Sequence, residues 1–251
     1  MEANRGTLVE VIQPVQHSRV SPLRRIGLPL VLLAVGGLAI WLVMQWAEDS
    51  LDVHRVTPER RGAPTLILLH GYGAPGADLV GLGETLAESL PGVQILVPEG
   101  PFNLVGSGRA WYVDSPREAI ESRTLLSKLI AGLIDEGTPR GQVVVAGFSQ
   151  GGTMAVDISL FDPDVGCVGV LSGRPLSGVG WNRQLAEVEP PSAFVAHGRK
   201  DRTISLRDGK ALAGMLEAGG ASVTFHEHGG AHEITDEVEQ ALVAFVKRCV
   251  E

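Results

Sequence analysis

Five residues, Gly147-Phe148-Ser149-Gln150-Gly151, set a serine between glycines where one hydrophobic pattern gives way to another. Gln142-Val143-Val144-Val145-Ala146 before them reads as a buried strand, and Gly152-Thr153-Met154-Ala155-Val156-Asp157 after them as a helix. A serine alcohol is a poor nucleophile until a sharp strand-to-helix turn lifts its Oγ clear of the backbone, beside a base and at a helix N-terminus. The glycines answer the crowding at such a turn, where a Cβ would strike the adjoining strand and helix. The chemistry predicted from this spacing is nucleophilic attack by Ser149 through a covalent intermediate.

Attack by serine needs a base, and the base needs an acid to orient it, in the chain order Ser, Asp or Glu, His. Asp201 is the expected acid, because the apolar run Ala193-Phe194-Val195-Ala196 ends in His197-Gly198-Arg199-Lys200-Asp201 and leaves it in a loop just past a strand. Asp208 and Glu227 are weaker rivals. His232 is the expected base: it follows the strand pattern Ser222 to His228, in the Gly-rich segment Gly229-Gly230-Ala231, just before a helical pattern that begins at Ile234. His226 and His228 share one face of that strand and read as sheet-face residues. Developing negative charge on the substrate needs backbone N–H donors, which are expected from Gln150 and from Tyr72, the latter in the His70-Gly71-Tyr72-Gly73 loop after Thr65-Leu66-Ile67-Leu68-Leu69. His70 is given no catalytic part.

The elements that would carry these groups alternate. Strand patterns near Thr65, Val93, Val143, Val165, Ala193 and Val223 are interleaved with helical patterns at Asp78 to Ser89, Pro116 to Glu136, Gly151 to Leu160, Ser205 to Ala218 and Ile234 to Val250. Such alternation predicts an α/β fold with a mostly parallel sheet covered by helices. Residues 63–251 suffice for one core, without room for a cap domain. The connection from Pro98 to Asp114 is longer than a plain link requires, and its Phe102, Trp111 and Tyr112 are expected to wall an acyl pocket. The stretch 47–62 reads as a linker, in which Ser50 to Ala63 is alternatively a leading edge strand. No metal-ligand cluster or phosphate-binding Gly loop is evident in the sequence, so neither metal nor cofactor is expected.

Ahead of this domain, Ile26 to Met44 holds nineteen residues without a charge. As a helix they would extend roughly 28 Å, enough to cross a hydrocarbon core. A transmembrane helix is therefore expected over 26–46, with Trp41 and Trp46 at interfacial positions and residues 1–25 as a cytoplasmic tail. Arg19, Arg24 and Arg25 precede the span and Glu48, Asp49 and Asp52 follow it, so the positive-inside rule predicts an extracytoplasmic catalytic domain. Residues 1–25 contain four Arg and two Glu, which leaves the remainder at −10 within a formal total of −8. An acidic domain has no electrostatic reason to bind nucleic acid. Cys167, in an apolar run, and Cys249, in the last helix, are read as buried thiols rather than a bridge, although export would permit one.

Five blocks in order, Leu68-Leu69-His70-Gly71-Tyr72-Gly73, Gly147-Phe148-Ser149-Gln150-Gly151-Gly152, Leu171-Ser172-Gly173, His197-Gly198-Arg199-Lys200-Asp201 and Gly229-Gly230-Ala231-His232-Glu233-Ile234, resemble the carboxylesterase/phospholipase group of α/β-hydrolases that includes the acyl-protein thioesterases. The resemblance implies the α/β-hydrolase fold, a small acyl ester or thioester as substrate, and Ser149, Asp201 and His232 as a catalytic triad. The N-terminal extension departs from the family pattern, whose members are commonly soluble. The expected activity is hydrolysis of carboxylic esters or thioesters. The alternatives are an acyltransferase using the same triad and a catalytically silent hydrolase-fold binding module.

Overall fold

Apolar side chains at successive positions of a strand demand cover on both faces of the sheet. In the computed structural model, which describes residues 50–251, the elements run β1 (Val53–Arg55), β2 (Thr65–Leu69), a 3-10 turn (Gly76–Leu79) entering α1 (Val80–Ser89), β3 (Gln94–Pro98), β4 (Phe102–Asn103), β5 (Arg109–Ala110) and α2 (Pro116–Asp135). The second half runs β6 (Val143–Phe148), α3 (Gln150–Phe161), β7 (Val165–Leu171), α4 (Trp181–Glu187), β8 (Ser192–Gly198), α5 (Leu206–Ala218), β9 (Val223–His228) and α6 (Asp236–Val250). Seven strands pair in the order β1-β3-β2-β6-β7-β8-β9, while β4 and β5 form a separate hairpin. Every neighbour in the large sheet is parallel except β1, which runs antiparallel to β3. Val53–Arg55 is thus an edge strand of the sheet, the alternative expected for the stretch from Ser50 to Ala63.

Alternation of side chains along the strands builds two cores. On one face Ile67, Leu69, Val143 and Val145 pack with Leu126 of α2, Met154 of α3 and Leu212 of α5. On the other, Leu66, Leu68, Val144 and Ala146 meet Leu86 of α1 and Leu242 and Phe245 of α6. Helix α3 is buried from Gln150 to Leu160, including the carboxylate of Asp157. Asp157 accepts from Trp181 Nε1 at 2.6 Å and lies 3.2 Å from Arg123 Nε. Burial pushes its carboxyl up to about 6 although Arg123 and Trp181 pull the other way. The group ties α2 and α4 to α3, the helix that follows Ser149.

Cys167 and Cys249 are joined by a disulfide, which corrects their reading as separate buried thiols. Cys167 belongs to the core face of β7 that α6 covers, so packing of the last helix brings the two Cα atoms to 6.2 Å, within bridging range. The bond closes a sequence separation of 82 residues, for which chain-entropy arguments give up to about 4 kcal/mol of stabilisation. The expected transmembrane helix at 26–46 and tail at 1–25 lie outside the described residues. Among the described residues no helix is long and apolar enough to cross a membrane.

Candidate active site

The parallel sheet brings its strand ends into line: Leu69 pairs with Gly147, Phe148 with Leu171, Leu171 with Ala196 and Gly198 with His228. Ser149 projects from this edge in a backbone conformation, φ 56° and ψ −116°, that L-residues seldom adopt. Its N–H donates to Leu171 O at 2.8 Å, which holds the turn against β7. The glycines are sterically required. A Cβ on Gly151 would lie 2.0 Å from Leu69 O, and one on Gly147 2.3 Å from the carbonyl carbon of Gly151. Helix α3 starts at Gln150, so the first N–H groups of that helix face the strand ends. Neither the Gln150 nor the Tyr72 N–H makes a backbone hydrogen bond among the described residues, which leaves both donors open to a ligand oxygen.

His232 Nε2 stands 2.9 Å from Ser149 Oγ, and His232 Nδ1 stands 2.7 Å from Asp201 Oδ2. Because a carboxylate only accepts, Nδ1 carries the proton and Nε2 is left as the acceptor facing the serine. Asp201 is itself held, its Oδ1 accepting the N–H groups of Thr203 at 2.8 Å and Ile204 at 2.9 Å. Burial would raise its carboxyl, but the His232 contact and these two backbone donors outweigh that and keep it below the ordinary aspartate value. The two loops lean on each other: Arg199 N–H donates to His228 O and Lys200 N–H to Gly230 O, both at 2.9 Å. Gly198 permits this approach, since a Cβ there would lie 2.2 Å from Ala231 O. The Phe148 ring packs beside the imidazole, with centroids 4.7 Å apart. The rivals are engaged elsewhere. Asp208 bonds Ser205 at the start of α5, Glu227 pairs with Arg199 and Lys210, and His226 faces Glu237 of α6.

A cleft of about 280 Å³ opens at Ser149, lined by Tyr72, Tyr112, Val113, Gln150, Thr153, Arg174, Thr203 and Ile204. A larger cleft, about 510 Å³, lies at the far end of α3 around Ser159 to Val165 and contains neither the serine nor the histidine. We assign chemistry to the smaller one because the reactive groups converge there. Of the three aromatics expected in the pocket wall, only Tyr112 lines the cleft. Phe102 is on the β4–β5 hairpin and is not among the residues that line it. Trp111 is fully buried, a correction with a clear cause. Its indole N–H donates to His70 O at 2.9 Å, its backbone N–H donates to Gln150 Oε1 at 2.9 Å, and its ring stacks near His70 with centroids 5.3 Å apart.

Sequence reasoning missed this scaffold. The Gln150 side chain clasps the 98–114 connection, accepting from Trp111 N–H and donating from Nε2 to Tyr112 O at 2.6 Å. His70 braces the Tyr72 loop from below, with Nδ1–H donating to Gly71 O at 2.8 Å while Nε2 accepts from Gly100 N–H at 2.9 Å. Both nitrogens are used by a neutral ring, and burial lowers its pKa accordingly. The far end of the connection is pinned by Glu118, whose carboxylate accepts from the N–H groups of Val113, Asp114 and Ser115. Trp111→Ala is therefore expected to cost about 3–5 kcal/mol of stability. It should reduce kcat/KM for acetate and medium-chain esters by the same factor, measurable by comparing the two esters on one preparation beside a urea titration. A loss confined to the longer ester would return Trp111 to the pocket wall. Thr153, Arg174, Thr203 and Ile204 were also missed as cleft residues. The signal was available for Arg174, which follows Leu171-Ser172-Gly173 at the end of β7, where ligands of open parallel sheets gather.

A parallel sheet, a strained serine between a strand and a buried helix, and an acid and a histidine at neighbouring strand ends define an α/β-hydrolase. Residues 53–250 match the model of the Phospholipase/Carboxylesterase family, and the chain belongs to that family; it is a carboxylic ester hydrolase. It is 31% identical over 192 residues to lysophospholipase-like protein 1 of Mus musculus, covering 68% of this chain and 80% of that protein. Acyl-protein thioesterase 1 of Cryptococcus neoformans is 24% identical over 186 residues, covering 66% and 78% respectively. Among solved structures, esterase PE8 superposes with a TM-score of 0.70 at 25% identity, over 80% of this chain and 99% of that one. Arabidopsis thaliana SOBER1, at 24% identity and TM-score 0.67 over 74% of this chain and 99% of its own, shares the fold.

Proposed function

We propose that the chain hydrolyses carboxylic esters or thioesters through an acyl-enzyme on Ser149. The observation that carries this is the unbroken sequence of contacts from Asp201 to His232 to Ser149, at 2.7 and 2.9 Å, beside open N–H donors. His232 Nε2 takes the hydroxyl proton as Ser149 Oγ attacks the acyl carbon, and Asp201 holds the proton on Nδ1 and stabilises the imidazolium. The N–H groups of Gln150 and Tyr72 receive the developing oxyanion. Proton return from His232 releases the alcohol or thiol; water, activated by the same imidazole, then frees the acid. A silent binding module would have no use for a strained serine hydrogen-bonded to an oriented imidazole. The test is release of acid and alcohol in equal amounts from simple esters and thioesters, together with labelling by a fluorophosphonate probe. A chain that cleaves none of them and takes no label is not such a hydrolase.

We also propose that the uncharged stretch Ile26 to Met44 anchors the protein in a membrane with the catalytic domain outside the cytoplasm. Its support is the charge asymmetry around that stretch and the Cys167–Cys249 bridge, since disulfides persist in oxidising compartments. Protease added to intact spheroplasts should digest the catalytic domain. In protein trapped with an alkylating agent at harvest, both cysteines should escape labelling until a reductant is added. Protection from protease together with freely alkylated cysteines would place the domain in the cytosol.

A further inference from the structure

The cleft beside Ser149 contains one formal charge, and no acidic side chain in its wall offsets it. Arg174 is the sole ionisable cation among the lining residues, which include no Asp or Glu. None of the ion pairs among the described residues involves it. This matters in a chain with 29 acidic against 21 basic residues, where carboxylates are plentiful as partners for surface arginines. Arg199 has found Glu227, Arg140 has found Asp164 and Arg109 has found Glu99.

The position of Arg174 is built rather than incidental. Strand β7 is followed by Ser172, a buried residue at φ 57° whose N–H donates to Ala196 O at 2.9 Å, and this left-handed turn sends the chain toward the cleft. There the Arg174 backbone is gripped from both sides by Thr153: its N–H donates to Thr153 Oγ1 at 3.2 Å, and Thr153 Oγ1–H donates to Arg174 O at 3.0 Å. Thr153 stands one turn of α3 beyond Ser149, its N–H bonded to Ser149 O. The Cα of the arginine is therefore fixed relative to the nucleophile, while its long side chain can reach a ligand. The guanidinium also lies near the Tyr112 phenol, where it counteracts the upward push of burial on that group. The resulting wall presents a cation, a phenol and a hydroxyl next to the serine.

We propose that Arg174 is a specificity-determining residue that receives an anionic oxygen group carried by the substrate. A guanidinium offers several N–H donors in a planar fork that fits carboxylate or phosphate, and each charge-assisted contact is stronger than a neutral hydrogen bond. The substrate class is an ester or thioester bearing a carboxylate on its acyl part or a phosphate on its alcohol part, close enough to the scissile carbonyl to share a small cleft. This inference rests on the hydrolase reading above and adds to it which of the esters is preferred.

The experiment measures kcat/KM on the full chain in detergent for two matched pairs: ethyl hexanoate against the monoethyl ester of adipic acid, and butyrylglycerol against butyrylglycerol phosphate. The quantity read is the preference for the anionic over the neutral member of each pair. The wild type should prefer the anion in one pair, and that pair identifies the side of the ester that carries it. Arg174→Gln should lower the preference roughly tenfold to hundredfold, Arg174→Glu should lower it further, and Arg174→Lys should keep part of it. Added salt should shrink the wild-type preference. A preference that stays within about threefold of wild type in both pairs for Arg174→Gln overturns the proposal, as does a uniform loss across all four esters. Failure of the neutral esters to be cleaved by any Ser149-dependent route would instead sink the hydrolase reading, so the two failures are distinguishable.

Discussion

Replacing Ser149 with alanine is expected to lower turnover of an activated ester by a factor on the order of 10⁴ or more. Alanine keeps the Cβ, so the elbow has the same steric fit, and among the described residues the Ser149 side chain hydrogen-bonds only His232. The N–H bond to Leu171 O and the start of α3 are backbone features that the substitution leaves in place. The thermal midpoint should accordingly stay within a few degrees of wild type while fluorophosphonate labelling disappears. What activity remains would come from the oxyanion donors and the cleft, which still bind and polarise the ester but lack the group that attacks it. Strong labelling of the alanine variant, or near-normal turnover in a clean preparation, would move the nucleophile to another residue.

The parts of this molecule that were legible in the sequence are those set by local pattern. Apolar runs such as Thr65 to Leu69 and Val143 to Ala146 have to be buried on both faces, and their ends have to coincide once the strands are parallel. Gly-x-Ser-x-Gly is legible because the collision of a Cβ at Gly151 with Leu69 O follows from any such turn. The illegible parts depend on which loop folds back on which. Trp111 sits in a long aromatic connection and looks like a pocket wall; only the partners His70 and Gln150, 41 and 39 residues away, make it a core residue. The Cys167–Cys249 bridge needs α6 to cover the face of β7 that Cys167 occupies, a tertiary fact without a local signal. The two-residue strands of the β4–β5 hairpin are too short for any periodicity, and α4, at seven residues, shows itself mainly through Trp181 packing on Asp157.

Asp201→Asn is expected to be nearly as damaging as loss of the serine, and the contacts of Asp201 explain why. In the native protein Oδ1 accepts two backbone N–H groups, from Thr203 and Ile204, while Oδ2 accepts from His232. An asparagine must keep its carbonyl oxygen on the two N–H donors, because its amide nitrogen cannot accept from them. Its NH₂ then faces His232 Nδ1 as a donor and drives the imidazole proton to Nε2. The nitrogen facing Ser149 can no longer take a proton, so the rate should fall by about 10⁴ with the fold intact. His232→Ala removes the base outright and should cost a comparable factor. The native carboxyl, held below the ordinary aspartate value by His232 and the two backbone donors, remains the acceptor that fixes the imidazole proton on Nδ1. These outcomes are read from kcat/KM against pH for wild type and both variants, with circular dichroism to confirm folding. An Asp201→Asn variant within tenfold of wild type would mean that Asp201 does not set the tautomer. Full activity without His232, coupled to loss on replacing His226 or His228, would put the base on β9.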